Sequence, residues 1–243
     1  MNMLLPNTIV YAASVQPLAD PETYRRAYGS VSRMRQQKAD GYRFEKDRFL
    51  CVGAELLLRY GLREAGIAAG PPEFRTNDCG KPELAGTDLR FNLSHSGEMA
   101  ICAVSDVCVG CDIEKIRTAD LRIAERFFCP EEYAHIAGQQ TEEERNVLFY
   151  RYWTLKESFL KATGLGFQLP LGDFCMEIEK EVRVRQSVDG RTYFFHEFDE
   201  IPGYRCAVCL VGEPRDAELK IVDLTEEISG AAADHAGSAR KGL

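Results

Sequence analysis

The chain has 243 residues, of which 45% are hydrophobic and 28% charged, values typical of a globular protein with a sizeable core. They exclude wholesale disorder and fibrous structure. Thirty Lys and Arg against 38 Asp and Glu leave a net charge of −8, which argues against sequence-independent nucleic-acid binding. No apolar run is long enough to span a bilayer, so we expect no membrane attachment.

The first half predicts helices followed by strands. Residues 8–15 predict a strand rather than part of a signal peptide, because Pro6 and Asn7 interrupt the apolar run and no basic leader precedes it. A polar helical stretch is predicted from Pro21 to about Lys46, and an apolar helix over 49–66. Residues 67–90 predict a loop with short strands, and three strands follow at 91–96, 99–104 and 107–114.

The second half contains the clearest helix. Thr141 and Glu144 form a capping-box pattern at its start, and Gly164 is a typical stop. A shorter helix begins near Pro130. Alternating strands are predicted between 174 and 224, and the small polar tail from Glu226 predicts disorder.

Nine cysteines without an export signal predict reduced thiols and a cytoplasmic protein. Two C-x-x-C pairs occur, Cys108/Cys111 and Cys206/Cys209, and raise the possibility of zinc. Both pairs lie in apolar runs typical of strands, where residues i and i+3 face opposite sides of the sheet. The thiols of each pair therefore diverge, and we interpret them as buried apolar residues instead of zinc ligands.

Asp112 and Glu114 point to one face of a predicted strand, with Ile113 turned into the core. Neighbouring carboxylates repel each other unless a cation lies between them, and oxygen-only ligation suits Mg²⁺. The alternative is a strand surface with two solvated acids. This fragment alone leaves both interpretations open.

The long helix places Trp153, Glu157 and Lys161 one turn apart on one face. An ordinary amphipathic helix with a surface ion pair would show the same spacing. The functional interpretation gives Glu157 as a third carboxylate and Lys161 as a phosphate ligand. The turn Ser94-His95-Ser96-Gly97, at the end of an apolar strand, is a candidate for anion contacts.

Three motifs in order, FNLSHS, VGCDIE and WTLKESFLKATG, resemble the 4′-phosphopantetheinyl transferases, specifically their larger surfactin-type branch. Gly80-Lys81-Pro82, just upstream of the first motif, and GLGFQLPLGDF, after the third, are similar too. The resemblance runs from about Arg43 to Val211. It implies transfer of the phosphopantetheine arm of coenzyme A to a serine of an apo acyl or peptidyl carrier protein, with release of adenosine 3′,5′-bisphosphate.

The resemblance also implies residue roles. Asp112, Glu114 and Glu157 would hold Mg²⁺, although Mn²⁺ accepts the same ligands. Glu157 would accept the serine proton, and Lys161, with possible help from Lys156, would neutralise the transferred phosphate. The residues expected to contact coenzyme A are Lys81, Pro82, Ser94, His95 and Lys161.

A basic residue before the apolar helix would bind the 3′-phosphate of coenzyme A. The candidates are Arg43, Lys46 and Arg48, of which we favour Arg48 and then Lys46. Arg117 and Glu132 also match charged positions of the family, without an assigned role.

The implied fold is α+β, a pseudo-dimer of two similar halves at 1–106 and 107–225 with the active site in the cleft between them, followed by a disordered tail at 226–243. A monomer is expected because one chain builds the whole cleft. The apolar segment Leu165, Phe167 and Leu169 would receive the carrier protein.

Two other functions remain open: a non-catalytic protein that binds coenzyme A or a carrier, and a Mg²⁺-dependent nucleotide phosphohydrolase. The carrier and its pathway are not specified by the sequence.

Overall fold

The computed structural model describes residues 8–67, 72–76 and 82–228. The first half comprises β1 (Thr8–Ser14), α1 (Pro21–Ser30), α2 (Arg33–Asp40), α3 (Glu45–Glu64), β2 (Phe74–Thr76), β3 (Pro82–Leu84), β4 (Arg90–Ser96) and β5 (Met99–Ser105). The second half comprises β6 (Val109–Lys115), α4 (Leu121–Phe127), α5 (Pro130–Ala137), α6 (Glu142–Thr163), β7 (Cys175–Ile178), β8 (Val182–Arg185), β9 (Tyr193–Phe198), β10 (Tyr204–Val211) and β11 (Ala217–Ile221). No helix in these ranges is both long and apolar enough to cross a membrane.

Two main sheets and two long helices confirm the α+β class. The first sheet has the order β11-β1-β5-β4, and the second has the order β6-β10-β9. Each strand of β1, β5 and β10 alternates its side chains between two buried layers, the pattern expected of a strand covered on both faces. One shared apolar layer, which includes Val10, Ile101, Ile113 and Val208, packs between the two sheets.

The outer face of each sheet is covered by one long helix. Helix α3 packs on the first sheet and α6 on the second, so the layers run helix, sheet, sheet, helix. Both halves thus place one long helix against a sheet. The equivalence of the two halves as a pseudo-dimer stays a prediction.

Several boundaries differ from those predicted. The stretch predicted as helical from Pro21 to Lys46 is two helices, because the chain becomes extended at Val31 and the Ser32 side chain caps α2 by accepting from the amide of Arg35. Helix α4, capped by Asp120, was not predicted. The predicted caps of α6 are confirmed: Thr141 and Glu144 form the capping box, and Gly164 is left-handed.

The end of the chain returns to the first half, which differs from the predicted boundary at 225. Strand β11 pairs in parallel with β1 of the first sheet, and Val222, Leu224 and Ile228 pack in the core beneath α3. The predicted second half therefore ends, structurally, before β11. The predicted disordered tail begins too early, since 224–228 is helical and Glu227 pairs with Arg63; residues 229–243 lie outside the described residues.

The cysteines follow the strand prediction with two exceptions. Cys108 is exposed and lies before β6, so the interpretation of both pairs as buried strand residues is wrong for this residue. Cys206 packs between the sheets and Cys209 packs beneath α6, so the thiols of this pair diverge as predicted. The prediction that every thiol is reduced is wrong for two residues, because Cys129 and Cys175 form a disulfide. Turns bring these two residues together from positions 46 residues apart, a proximity that sequence spacing does not indicate.

Candidate active site

Strands β4 and β6 lie side by side where the two sheets meet, joined through alternate side chains of the FNLSHS motif. The Asn92 Oδ1 accepts from the amide of Cys111 at 2.9 Å. The Ser94 hydroxyl donates to Oδ1 of Asp112 at 2.7 Å, and the Ser96 hydroxyl donates to Oε2 of Glu114 at 2.5 Å. The period of two along both strands thus positions the two carboxylates on one face, as predicted.

Helix α6 adds its charges from the other side. The Lys161 ammonium donates to Oδ1 of Asp112 at 2.6 Å, to the hydroxyl of Ser94 at 3.0 Å and to the carbonyl of Cys111 at 3.0 Å. Burial opposes the charge of Lys161, but Asp112, Cys111 and Glu157 together outweigh burial and raise the pKa of the ammonium. Lys161 is therefore a fixed cation at the junction of the two halves.

Glycine in the VGCDIE motif allows this contact. Gly110 of β6 lies directly beneath α6, where any Cβ would overlap the backbone of Ser158 and Ala162. The absence of a side chain lets the helix backbone approach the strand closely. That approach brings Lys161 within reach of Asp112.

Glu157 lies one turn before Lys161 on α6, where it is half-buried. Burial raises its pKa, and the charges of Asp112 and Glu114 raise it further. Burial also raises the pKa of Glu114, while the hydrogen bond from Ser96 opposes that rise. The charge of Asp112 raises the pKa of both Glu114 and Glu157, so the three carboxylates lie near one another.

The three carboxylates fit a hard divalent cation by their donor chemistry. Asp112 Oδ2 is buried and has no hydrogen-bond partner, so one oxygen is available as a ligand. Within the described ranges, Asp112, Glu114 and Glu157 do not bring one oxygen each within 4.8 Å of the others. Lys161 and Ser94 hydrogen-bond to Asp112, and Ser96 hydrogen-bonds to Glu114. Ligation of one ion by all three carboxylates therefore requires rearrangement of their side chains.

A cavity of 420 Å³ opens beside this cluster, between the two halves. It is lined by predicted residues of both halves: Pro82, Ser94 and His95 from the first, and Asp112, Glu114 and Lys161 from the second. Burial, then the positive charge of Lys161, lowers the pKa of His95. Lys81, also predicted to contact coenzyme A, lies outside the described residues.

Two cations in this cavity were missed by the sequence analysis. Arg35 and Lys38 line it, whereas Lys46 and Arg48 are not among its lining residues. Arg48 instead donates to the carbonyl of Tyr42 at 3.0 Å, and the Lys46 ammonium lies 5.9 Å from the ring centre of Phe44.

The available signal was the spacing of Arg35 and Lys38, which are three residues apart and so share one face of α2. The sequence predicted one long helix across the break at Val31. The separate face of α2 was therefore not recognised. Arg35 is buried and paired with Glu55 at 3.1 Å, while Lys38 is exposed.

Lys156 does not join the cleft, contrary to its suggested phosphate role. It is fully buried on another face of α6, where its ammonium contacts both carboxylate oxygens of Glu132, at 2.7 and 2.8 Å. Burial lowers the pKa of Lys156, and Glu132 opposes that shift. Glu132 is thus the partner of a buried ion pair, whereas Arg117 lies close enough to Glu114 to favour its ionised form.

The predicted carrier-binding segment is also altered by the structure. Leu169 is buried in the core under α6, so it is not available for direct contact, and Leu165 is only partly buried. The Phe167 side chain is outside the described residues. Phe127, at the end of α4, is 46% exposed, and its carbonyl lies near Gly172 of the same segment.

Comparison with known proteins identifies the family of the chain. Residues 108–209 match the family model of the 4′-phosphopantetheinyl transferase superfamily. A 4′-phosphopantetheinyl transferase of Bacillus subtilis is 34% identical over 193 residues, which cover 76% of this chain and 84% of the relative. The transferase gsp of Aneurinibacillus migulanus is 32% identical, over 78% of this chain and 80% of the relative.

A solved structure, the holo-[acyl-carrier-protein] synthase of Thermotoga maritima, is 17% identical, with a TM-score of 0.36 over 44% of this chain and 64% of that one. The match over most of the length of full transferases decides the family. The chain belongs to the 4′-phosphopantetheinyl transferases, enzymes that transfer phosphopantetheine from coenzyme A to carrier proteins.

Proposed function

We propose that the cleft between β4, β6 and α6 transfers phosphopantetheine from coenzyme A to a serine of an apo acyl or peptidyl carrier protein, with Mg²⁺ as cofactor and adenosine 3′,5′-bisphosphate as the leaving product. The observation that carries the proposal is the convergence of Asp112, Glu114 and Lys161 on one cavity lined by both halves. A pyrophosphate is an anion that an oxygen nucleophile approaches only when its charge is neutralised.

Asp112, Glu114 and Glu157 would hold the metal, and Mn²⁺ accepts the same oxygen ligands. When bound, the ion supplies Lewis-acid stabilisation of negative charge on the phosphate oxygens. The unpartnered oxygen of Asp112 supports this assignment.

In the proposed reaction, the serine hydroxyl oxygen of the carrier attacks the phosphorus next to the pantetheine arm. The bond from that phosphorus to the bridging oxygen breaks, and the bridging oxygen leaves with adenosine 3′,5′-bisphosphate. Glu157 accepts the serine proton, a role supported by its raised pKa. Lys161 holds a phosphate oxygen of the transferred group and must then exchange part of its contact with Asp112 for the substrate.

The nucleotide end of coenzyme A would occupy the part of the cavity lined by Pro82, His95 and α2. Lys38 is exposed at this cavity and is the cation best placed to bind the 3′-phosphate, since Arg35 also lines the cavity but is paired with Glu55. This assignment replaces Arg48 and Lys46, which do not line the cavity. Ser94 would act mainly through Asp112 and Lys161, to which it is already bonded.

The carrier would dock on the segment 164–172 and the neighbouring exposed Phe127. Apolar contact dominates this proposed docking, because the enzyme carries a net charge of −8 and the carrier proteins of this family's reactions are acidic.

A monomer is supported by the cavity, to which both halves of one chain contribute residues. The cytoplasm is supported by the reduced thiols of Cys51, Cys102, Cys108 and Cys206.

Intact-protein mass spectrometry of an apo carrier, incubated with this protein, coenzyme A and Mg²⁺, tests the proposal. We expect a mass gain of one phosphopantetheine that EDTA and Glu157→Gln abolish. Glu143→Gln, an exposed substitution on the same helix, should retain the activity.

Two results would contradict the proposal. Coenzyme A binding without transfer to fatty-acid, polyketide or peptide carriers would favour a non-catalytic binding protein. Cleavage of the pyrophosphate of coenzyme A without a carrier would favour the phosphohydrolase.

A further inference from the structure

The Cys129–Cys175 disulfide joins two segments that lie far apart in sequence. Cys129 is the N-cap residue of α5, and Cys175 is the first residue of β7. Their Cα atoms are 5.8 Å apart. The bond therefore closes a covalent loop around all of α5, α6 and the segment that follows α6.

The disulfide lies against the buried pair of Glu132 and Lys156. The amide of Cys129 donates to Glu132 at 2.9 Å, and the amide of Met176, next to Cys175, donates to the same carboxylate at 2.7 Å. Lys156 donates to the carbonyl of Phe174 at 2.8 Å. Because these polar contacts join the same segments without covalent help, the fold should persist when the disulfide is reduced.

The two cysteines border the proposed carrier-docking surface. Segment 164–172 lies between the end of α6 and Cys175, and the exposed Phe127 lies two residues before Cys129. The Cys129 sulfur is 3.8 Å from the carbonyl oxygen of Gly172, so the bond is in contact with the segment itself. The disulfide thus holds together the two pieces of chain that form this surface.

Cys129 and Cys175 form the one disulfide within the described residues, and six other described cysteines are thiols. Five of these six thiols are buried and one, Cys108, is exposed. In the reducing cytoplasm proposed above, a disulfide is typically transient, catalytic or redox-sensing.

We propose that Cys129 and Cys175 form a reversible redox modification site whose oxidised state orders the carrier-docking surface. This inference rests on the proposed docking of the carrier at 164–172. Oxidation removes two electrons and two protons from the thiols, which a peroxide accepts as it becomes water. Reduction begins when a thiolate of a dithiol reductant attacks the Cys175 sulfur and displaces the Cys129 thiolate; the second reductant thiol then releases Cys175.

We expect attack at Cys175 because this residue is the more exposed of the two, at 9% against 2% for Cys129. Both values are low, so small dithiols should reduce the bond more slowly than they would an exposed disulfide. The effect on catalysis should appear in carrier binding, because the bond adjoins the docking segment and none of its contacts includes a residue of the coenzyme A cavity.

The test compares the oxidised and dithiol-reduced full-length protein, with the redox state fixed by alkylation and peptide mapping. We expect reduction to raise KM for the carrier by about three- to tenfold, the equivalent of one or two side chains that must be ordered on binding. KM for coenzyme A should change by less than about twofold, and Tm should fall by about 5–10 °C.

Two variants complete the design. The double variant Cys129→Ser/Cys175→Ser should behave like reduced wild type under both conditions, and Cys108→Ser should respond to redox state as wild type does. Reduced wild type provides the same comparison if the double variant does not fold.

Several outcomes would overturn the inference. They are a free thiol at both positions after peroxide treatment, an unchanged carrier KM, or an equal change in KM for coenzyme A. Tight zinc retention by the reduced protein would overturn it in favour of a metal site, because Cys129, Glu131 and Cys175 present ligand atoms within 4.8 Å of one another. Activity of the oxidised wild type is measured first, so loss of the proposed function is distinguishable from failure of the redox inference.

Discussion

At the scale of single residues, Lys38 is proposed to bind the nucleotide end of coenzyme A because of its position in the fold. Lys38, Lys46 and Arg48 are all exposed or partly exposed charges close together in sequence, but only Lys38 lines the cavity. A charge-assisted hydrogen bond is worth about 1.5–3 kcal/mol when the alternative leaves the partner unpaired. The proposal therefore separates these residues by their effect on substrate binding.

Lys38→Gln should raise KM for coenzyme A about tenfold or more, whereas Arg48→Gln should change it by less than about twofold. Steady-state kinetics with coenzyme A and with 3′-dephospho-coenzyme A provide the measurement. Wild type should prefer the 3′-phosphorylated substrate, and Lys38→Gln should lose that preference. The opposite order of the two variants would restore the original assignment to Arg48.

The environment of His95 predicts how coenzyme A binding depends on pH. Burial and the charge of Lys161 lower the pKa of His95, so the imidazole is neutral in the unliganded protein at neutral pH. A bound phosphate would favour the imidazolium and raise this pKa. Binding should then take up a proton and become tighter as the pH falls from about 8 to about 6.

Calorimetry in buffers of different ionisation enthalpy measures that proton uptake directly. His95→Gln should remove the uptake assigned to the imidazole and leave only that of the coenzyme A phosphates. Equal proton uptake by the two proteins would show that His95 does not change its ionisation on binding.

At the scale of elements, the active site depends on how closely α6 packs on β6. Gly110→Ala places a Cβ against helix backbone, which cannot move aside as a flexible side chain can. We expect a loss of at least about 3 kcal/mol in the free energy of unfolding. Separation of α6 from β6 would also lengthen the Lys161–Asp112 contact.

Urea denaturation checks the effect on stability. Gly29→Ala is the matched control, since Gly29 lies within α1 and a Cβ there meets nothing within 4 Å. Because Gly29 lies in the last turn of α1, its replacement should stabilise the protein by about 0.5 kcal/mol or less. A normal stability for Gly110→Ala would mean that α6 can shift along β6 without cost.

At the scale of the whole molecule, β11 and the segment after it connect the end of the chain to its beginning. Leu224 is buried in the core of the first half, and the shared apolar layer joins both sheets. The two halves should therefore unfold in one transition. Leu224→Ala should cost about 2–5 kcal/mol.

Trp153, the one tryptophan of the chain, packs against Phe149 in the second half and reports on that half by fluorescence. We expect Leu224→Ala to shift the Trp153 unfolding transition, although the substitution lies in the other core. Ile221→Ala, which removes a side chain that is 61% exposed, should leave the midpoint nearly unchanged. A transition that shifts by circular dichroism but not by Trp153 fluorescence would show that the halves unfold separately.

Sequence and structure agree on features that depend on neighbouring residues and disagree on several that depend on contacts between distant segments. The caps of α6 were predictable because Thr141, Glu144 and Gly164 act within a few residues of themselves. The shared face of Asp112 and Glu114 followed from strand periodicity, and the divergence of Cys206 from Cys209 followed from the same rule. Each of these depends only on neighbouring residues.

The residues that the sequence analysis placed differently from the structure depend on contacts between distant segments. Lys156 has the same helical context as Lys161, and only the position of α5 shows that it pairs with Glu132 in the core. Leu169 appeared to be a surface residue until the fold placed it beneath α6. No local pattern distinguishes these residues from their exposed neighbours.

The sequence by itself determined the family and the α+β class and predicted the carboxylates and lysine of the site, because these rest on motifs and short-range periodicity. Only the tertiary structure decided which cation lines the coenzyme A cavity, that Cys129 meets Cys175, and that β11 returns to β1. The physical reason is that packing selects one arrangement from many that the local pattern allows, and that choice depends on burial and contacts contributed by the whole chain.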